Sequence, residues 1–220
     1  VAPYEAGPPS HAVRMVGAIL GLQFSLQEPN LPAREHKTPE FKKMNPMCTV
    51  PVLKDGDFFI SESHAIILYL LRKYGKAHKE ALYPSDLRTR TLVDQALFFD
   101  TGVVFRQLLN VIQPTFQGKI TGPTPTNIEQ ITDAYAVLES WLENRPYIAT
   151  DHVTIADICL GSSVAALRGI HDLDADKFSR TREWLRRMEA EPYFKEIGTP
   201  GATLLTAILN TCWEARRNKK

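Results

Sequence analysis

Residues 45–75 read NPMCTVPVLKDGDFFISESHAIILYLLRKYG, and their centre carries the clearest β signal in the chain. Two short runs, Pro51–Leu53 and Phe58–Ile60, flank the dipeptide Asp55-Gly56. Asp-Gly tolerates the positive φ angles of a tight turn between antiparallel strands. The stretch therefore predicts a β-hairpin.

A helix signal follows the hairpin directly. Ser61 and Glu62 precede an unbroken apolar run over residues 65–71, and Gly75 comes after the cations of residues 72–73. Polar residues at the start, cations in the last turn and a terminal glycine are typical of an α-helix. Together, hairpin and helix predict a ββα unit.

Upstream of residue 45 the sequence predicts one helix and two further strands. A helix is expected over residues 9–21, because Val13, Val16, Ile19 and Leu20 form one apolar stripe and Pro8-Pro9 suits a first helical turn. Phe24 and Leu26 alternate with polar neighbours as in a half-buried strand. With a strand at Val1–Ala6, the order becomes βαβ followed by ββα, a three-layer thioredoxin-like sandwich.

Beyond residue 76 the sequence has the periodicity of helices alone. Residues 77–86 are charged, contain Pro84 and show no clear pattern, which is typical of a linker. The segment Thr154-Ile155-Ala156-Asp157 predicts a helix start with a capping box. The expected fold is α/β plus all-α: a thioredoxin-like domain at 1–76, a linker at 77–86 and a helical domain at 87–220.

Composition excludes several classes of function. Lys and Arg number 26 against 25 Asp and Glu, so neither nucleic acid nor an anionic membrane is an expected partner. The longest apolar run is far shorter than the ~20 residues of a membrane span. Cys48, Cys159 and Cys212 show no CxxC spacing, and no histidine motif predicts a metal site. A reducing cytoplasm is the expected location.

The residues before the hairpin suggest a peptide-binding edge. Pro51 opens the first strand, and a cis Val50–Pro51 peptide would turn the Val50 amide and carbonyl outward, where they could pair with a peptide-like ligand. The alternative is an ordinary trans proline on an edge strand, because only about 5–6% of X–Pro bonds are cis.

Ser61-Glu62-Ser63-His64-Ala65 suits the zwitterionic head of an amino acid. The Glu62 carboxylate would meet the ammonium group, while Ser63 and the free amides of a helix N-terminus would meet the carboxylate. The alternative is that Ser61 caps the helix, Glu62 complements the helix dipole and neither binds a ligand.

Five motifs in order resemble the cytosolic glutathione S-transferases, and within them the insect delta and epsilon classes. The resemblance spans essentially all 220 residues. The motifs are Gly7-Pro8-Pro9, Glu35-His36 with Pro39-Glu40-Phe41, Asn45-Pro46 to Leu53, Glu62-Ser63-His64-Ala65-Ile66 and Thr154-Ile155-Ala156-Asp157.

The resemblance implies glutathione as co-substrate, lying along the first domain. Its γ-glutamyl end would lie at Glu62 and Ser63, and Val50, before a cis Pro51, would hold the cysteinyl backbone. His36 would approach the glycine carboxylate, and Asp100 would reach a γ-glutamyl amine across a dimer interface. The full predicted glutathione-binding set is His36, Cys48, Val50, Pro51, Glu62, Ser63, His64 and Asp100.

The electrophile would bind in a pocket between the domains. Candidates are apolar residues on helices expected to face this cleft: Phe105, Leu108, Phe116, Leu204 and Ile208. Apolar side chains at such spacing also form ordinary helical cores, which is the alternative for each of them.

Two positions depart from the family pattern. Where these classes carry a serine whose hydroxyl donates to the glutathione sulfur, this chain has Gly7. Cys48 stands where these classes commonly have a histidine near the glycine end of glutathione. The group that stabilises the thiolate is therefore not the usual one.

Ser10 and the backbone amides of the first helical turn are the candidate thiolate donors. One hydrogen bond to a charged sulfur, about 1.4 kcal/mol, would lower the thiol pKa by about one unit. The alternative is that Ser10 bonds only to the helix backbone. Tyr4 is a weaker candidate donor.

The sequence thus predicts a cytoplasmic, homodimeric glutathione transferase that conjugates the glutathione thiolate to hydrophobic electrophiles in detoxification. A second hypothesis is a non-catalytic or weakly catalytic carrier of apolar ligands with the same fold, because the serine is missing. A structural module of the translation machinery has less support, since no added domain or basic extension is present.

Overall fold

The computed structural model describes residues 7–30 and 33–218. The strand predicted at Val1–Ala6, and Tyr4 within it, lie outside the described residues. The N-terminal part begins with α1, Pro8–Ile19, in which both prolines fall in the first turn as predicted. After a 3₁₀ turn at Glu35–Lys37, α2 spans Pro39–Met44 and is capped by the Thr38 hydroxyl.

The predicted hairpin and the helix after it are confirmed. β1, Val52–Asp55, pairs antiparallel with β2, Phe58–Ser61, in a register that places Asp55 opposite Phe58. Gly56 begins the two-residue turn with φ 64°, which glycine adopts without steric cost. α3 spans Ser63–Tyr74, and the Gly75 amide donates to the Leu71 carbonyl at its end.

The strand predicted around Phe24 and Leu26 is absent, because residues 22–30 form neither helix nor strand. Leu22 and Phe24 pack against the core, whereas Leu26 is 48% exposed. A strand requires a neighbouring ladder, and within the described ranges β1 and β2 pair only with each other. Two apolar residues, Phe24 and Leu26, alternating with polar ones are too short a pattern to predict a strand.

The segment predicted as a linker contains a short helix, α4, at His78–Leu82. Leu82 and Tyr83 are buried, and the Arg90 guanidinium stacks 3.6 Å from the centre of the Tyr83 ring. This part of the chain is therefore packed against its surroundings. The domain boundaries themselves stay a prediction.

The remainder is helical, as predicted. Its first long helix is continuous: α5, Leu87–Phe99, passes through a π-helical turn at Asp100–Val104 into α6, Phe105–Phe116. A second π-helical turn, Phe194–Gly198, precedes the last helix. The other helices are α7 at Pro125–Trp141, α8 at Ile155–Arg168, α9 at Ser179–Ala190 and α10 at Thr199–Arg217.

The capping motif at Thr154 begins the central helix of this domain. Asp157 Oδ2 accepts from the Thr154 amide at 2.9 Å, as predicted, and Asp157 Oδ1 accepts from the Ile148 amide and from Trp184 Nε1. Burial raises the pKa of Asp157, although these hydrogen bonds oppose the shift. The carboxylate thus joins α8, α9 and the preceding loop.

α1 connects the two halves of the molecule, because it packs against α3 on one side and against α8 on the other. The Ser162 hydroxyl of α8 donates to the Pro8 carbonyl over 2.9 Å. The first turn of α1 is therefore fixed by the helical part of the chain. No helix in the described ranges is both long enough and apolar enough to span a membrane.

Candidate functional site

The loop before β1 is held in shape by Asn45, which is fully buried. Its Nδ2 donates to the Thr49 carbonyl at 2.8 Å, and its Oδ1 accepts from the Met47 amide at 3.0 Å. The Val50–Pro51 peptide bond that follows is cis, one of the two alternatives for this proline. Val50 itself is half-buried at the edge of the hairpin.

Cys48 lies in this loop with a left-handed backbone, φ 55°. Its side chain is buried, and its sulfur lies 3.7 Å from the Pro46 carbonyl oxygen. The Cys48 carbonyl accepts from Lys37 Nζ at 3.1 Å, which ties the loop to the 3₁₀ turn. The thiol thus faces its own loop, and a role in binding glutathione stays a prediction.

His36 lies on the 3₁₀ turn between two cations. Desolvation by partial burial, followed by the positive charges of Lys37 and Arg34, lowers the pKa of His36. Its Nδ1 is buried and makes no hydrogen bond within residues 7–30 and 33–218. A neutral imidazole flanked by two cations fits the predicted contact with a carboxylate.

The N-terminus of α3 presents unused polar groups. Glu62 precedes the helix with φ 69°, an uncommon conformation for a residue with a side chain, and it is exposed. Neither its carboxylate nor the half-buried Ser63 hydroxyl makes a hydrogen bond to any described residue. The first amide engaged by the helix is that of Ile66, which donates to the Glu62 carbonyl. The amides before it are available to a ligand.

His64, in the first turn of α3, joins the two halves of the chain. Its Nε2 lies 3.1 Å from Asp100 Oδ2, and the Asp100 side chain is only 6% exposed. Burial opposes protonation of His64, but the Asp100 carboxylate beside it outweighs burial and raises the pKa of His64 above its ordinary value. The pair therefore anchors α3 to the π-helical turn at residue 100.

Asp100 faces His64 of its own chain. One carboxylate oxygen bonds to His64, and the other is buried without a hydrogen bond to any described residue. The predicted contact with a γ-glutamyl amine across a dimer interface stays a prediction. Sequence reasoning named both residues but missed their pairing, because 36 residues separate them.

The N-terminus of α1 has no free amide in its first turn. Pro8 and Pro9 lack an N–H group, and the Ser10 and His11 amides donate to the Gly7 carbonyl at 2.9 and 3.1 Å. The expectation that free amides of this turn stabilise the sulfur is therefore wrong. Of the two predicted donors within it, only the Ser10 hydroxyl remains, on a residue that is 4% exposed.

The predicted pocket residues divide into two groups. Leu108 has no exposed surface and belongs to the core, so its placement on a pocket wall is corrected. The others are half-buried and pack against the core from its edge: Phe105, Phe116, Leu204 and Ile208. They lie on α6 and α10, which contact each other.

Comparisons with known proteins agree with this geometry. The sequence matches the family description "Glutathione S-transferase, N-terminal domain" over residues 6–73 and "Glutathione S-transferase, C-terminal domain" over residues 124–192. Glutathione S-transferase 1 of Manduca sexta is 35% identical over 202 residues, which are 91% of this chain and 92% of that protein.

Two solved structures show the same fold. An epsilon-class glutathione S-transferase from the housefly, Musca domestica, has a TM-score of 0.90 at 37% identity and covers 94% of this chain and 95% of its own. A glutathione transferase homologue from Drosophila mojavensis, solved with bound glutathione, has a TM-score of 0.87 at 38% identity, covering 96% and 97%. The resemblance stated from the sequence motifs is confirmed.

Proposed function

This chain belongs to the glutathione S-transferase family and is an enzyme of that family, and we propose that it conjugates the glutathione thiolate to small hydrophobic electrophiles. The sulfur forms a bond to an electrophilic carbon, the leaving group departs with its electron pair, and the thiol proton passes to solvent. Placing both reactants in one cleft would supply much of the acceleration.

The observation that carries this proposal is the N-terminus of α3. The exposed Glu62 carboxylate, the Ser63 hydroxyl and the free amides together offer a negative group beside hydrogen-bond donors. The α-ammonium and α-carboxylate of a γ-glutamyl group need this combination at close range. We assign Glu62 to the ammonium and Ser63 to the carboxylate.

The rest of the tripeptide would follow the hairpin edge. Val50 is half-buried next to β1, where its backbone can pair with the cysteinyl residue in the manner of an added strand. His36, between Lys37 and Arg34, would receive the glycine carboxylate. Binding at both ends directs the sulfur toward the first turn of α1.

We assign thiolate stabilisation to the Ser10 hydroxyl and the positive end of α1. The amides of its first turn are already engaged, but the helix dipole still favours a negative charge at that end. A thiol with an ordinary pKa near 8.5 is only a few per cent ionised at pH 7. A modest shift therefore has a large effect on rate.

The carrier hypothesis rests on a specific observation of its own. Gly7 supplies no hydroxyl, and the Ser10 and His11 amides are committed to the Gly7 carbonyl. A chain with this turn would bind glutathione at α3 while ionising its thiol weakly. It would then hold apolar ligands at Phe116, Leu204 and Ile208 without conjugating them.

We further propose that the enzyme is a homodimer of the cytoplasm that acts in detoxification. Large apolar side chains are exposed on α5, at Leu87 and Phe98, and on β2, at Phe58. Such side chains favour an interface. Phe98→Glu should give a monomer in sedimentation analysis, whereas Glu129→Gln on α7 should leave the dimer intact.

One pair of measurements separates enzyme from carrier. Calorimetry with glutathione reports binding, and an absorbance assay with glutathione and a generic aromatic halide reports conjugation. We expect both to be positive. Binding without turnover of several electrophiles would favour the carrier, and no heat at millimolar glutathione would refute both hypotheses.

A further inference from the structure

The last helix carries two apolar stripes that differ in exposure. Leu205, Leu209 and Trp213 are four residues apart and buried, whereas Leu204, Ile208 and Cys212, each one residue earlier, are half-buried. Residues four apart share one face of a helix. The buried stripe therefore sets the rotation of α10, and with it the position of Leu204 and Ile208 beside the predicted pocket.

Trp213, at the end of the buried stripe, fastens α10 to α6. Its indole Nε1 donates to Thr115 Oγ1 over 2.9 Å, and both residues are buried. Thr115 immediately precedes Phe116, the last residue of α6 and a candidate pocket residue. One hydrogen bond thus connects the two helices that carry Phe116, Leu204 and Ile208.

Two arginines extend this attachment to the connection between α6 and α7. The Arg216 guanidinium packs over Gly118, whose φ is 81°, so closely that a Cβ on Gly118 would lie 2.8 Å from Nη1. Arg217 Nε donates to the Thr121 carbonyl over 3.2 Å. We call the pairs Trp213–Thr115, Arg216–Gly118 and Arg217–Thr121 the C-terminal latch.

We propose that the C-terminal latch positions the half-buried stripe of α10, with Leu204 and Ile208, against Phe116, so that Trp213 and Thr115 determine which apolar electrophiles bind without touching glutathione. This inference rests on the proposed function. Packed helices shift as units, and a small displacement of a pocket wall changes the affinity for a rigid apolar ligand. The glutathione-binding contacts that we assign to α3 and the hairpin lie on elements other than α6 and α10, so we expect the latch to change the KM for the electrophile and not the KM for glutathione. Because α10 also packs against α1, the two KM values are measured separately.

The test separates the two substrates. Trp213→Phe and Thr115→Val each leave one buried partner without its hydrogen bond, and we expect the KM for an aromatic halide to rise about 3- to 10-fold in each. The KM for glutathione should stay within about twofold. In the double variant the KM for the aromatic halide should rise no further than in the more affected single variant. Removing both partners leaves no buried polar group without a hydrogen bond.

Trp184→Phe is the matched control. Trp184 is also a buried tryptophan of the helical part with an Nε1 hydrogen bond, but its partner is Asp157. We expect this variant to lower the melting temperature and to leave the electrophile KM unchanged. The proposal would be overturned if Trp184→Phe raised the electrophile KM as much as Trp213→Phe and Thr115→Val do. It would also be overturned if the glutathione KM of those two variants rose as much as their electrophile KM.

A readout that does not need catalysis distinguishes failure of the latch from failure of the proposed function. Cys212 is half-buried on the same stripe of α10 as Leu204 and Ile208, so its rate of alkylation by iodoacetamide, followed by peptide mass spectrometry, reports the attachment of α10. We expect Trp213→Phe and Thr115→Val to raise this rate several-fold and Trp184→Phe to leave it unchanged. Unchanged alkylation in the first two would refute the latch even if the enzyme is active.

Arg217→Ala tests the latch at an exposed position, in case the variants at the buried residues Trp213 and Thr115 fail to fold. Arg217 is exposed, and within the described part of the chain its side chain hydrogen-bonds to the Thr121 carbonyl alone. We expect a smaller change in the same direction, with faster Cys212 alkylation and a higher electrophile KM. If this variant and both buried variants match the parent protein, the latch has no positioning role.

Discussion

The N-termini of α1 and α3 both belong to the proposed glutathione site, and they differ in the polar groups that they leave free. In α3 the amides before Ile66, the Glu62 carboxylate and the Ser63 hydroxyl make no hydrogen bond to residues 7–30 or 33–218. In α1 two prolines remove the first amides, and Gly7 accepts the next two. We therefore expect strong binding of glutathione at the N-terminus of α3 and only a weak electrostatic effect at the N-terminus of α1.

This difference suggests that the chain binds glutathione strongly and activates its thiol weakly. In our proposal the binding of glutathione depends on α3, and the activation of its thiol depends on the Ser10 hydroxyl and the dipole of α1. Variants at the two helices should then affect different quantities: the dissociation constant at α3 and the thiol pKa at α1.

Glu62→Gln should have the largest effect. It removes the negative charge that we assign to the ammonium group of glutathione. Because a hydrogen bond to a charged group contributes about 1.5–3 kcal/mol, the dissociation constant measured by calorimetry should rise about 10- to 100-fold. Glu40→Gln, an exposed carboxylate in the first turn of α2, is the control. Equal affinity in Glu62→Gln and the parent protein would contradict the assignment.

Gly7→Ser should improve thiolate stabilisation at the N-terminus of α1. The backbone dihedral angles of Gly7, φ −92° and ψ 106°, are ones that residues with side chains adopt without strain. A new hydroxyl beside the sulfur should lower the thiol pKa of bound glutathione by about one unit. Thiolate absorbance against pH measures this value. Gly7→Ala has the same backbone without a hydroxyl, so an equal shift in both variants would exclude hydrogen bonding as the cause.

His64→Gln should weaken the attachment of α3 in a pH-dependent way. Because the Asp100 carboxylate raises the folded pKa of His64 above its ordinary value near 6.5, the stability from this pair is complete below about pH 6.5 and is lost as the pH rises through the folded pKa. The difference in unfolding free energy between parent and variant should therefore shrink from pH 6 to pH 9. Urea titrations at each pH measure this difference in unfolding free energy. A difference that stays constant from pH 6 to pH 9 would show that His64 does not titrate in this way.

Ser10→Ala should have the smallest effect. The hydroxyl belongs to a residue that is 4% exposed, so we expect the thiol pKa of bound glutathione to rise by less than about one unit. Ser63→Ala at the other helix should leave this pKa unchanged while weakening binding. If Ser10→Ala leaves the pKa as it is, the dipole of α1 acts alone.

Features that depend on neighbouring residues could be predicted from the sequence. The hairpin, the prolines at the start of α1 and the capping interaction between Thr154 and Asp157 are all confirmed. Each is set within a few residues by turn geometry or by a local hydrogen bond. The predicted strand at Phe24 and Leu26 was wrong because a strand needs a partner that the local sequence does not contain.

The amino-acid sequence by itself determined the thioredoxin-like and helical halves, the family and the polar residues at the start of α3. Only the tertiary structure decided that Leu108 is core, that the first-turn amides of α1 are occupied, and that His64 pairs with Asp100. It also joined Trp213 to Thr115, which are 98 residues apart. Caps and turns follow from the dihedral angles of adjacent residues, whereas these contacts depend on how whole helices pack, which side-chain spacing alone does not fix.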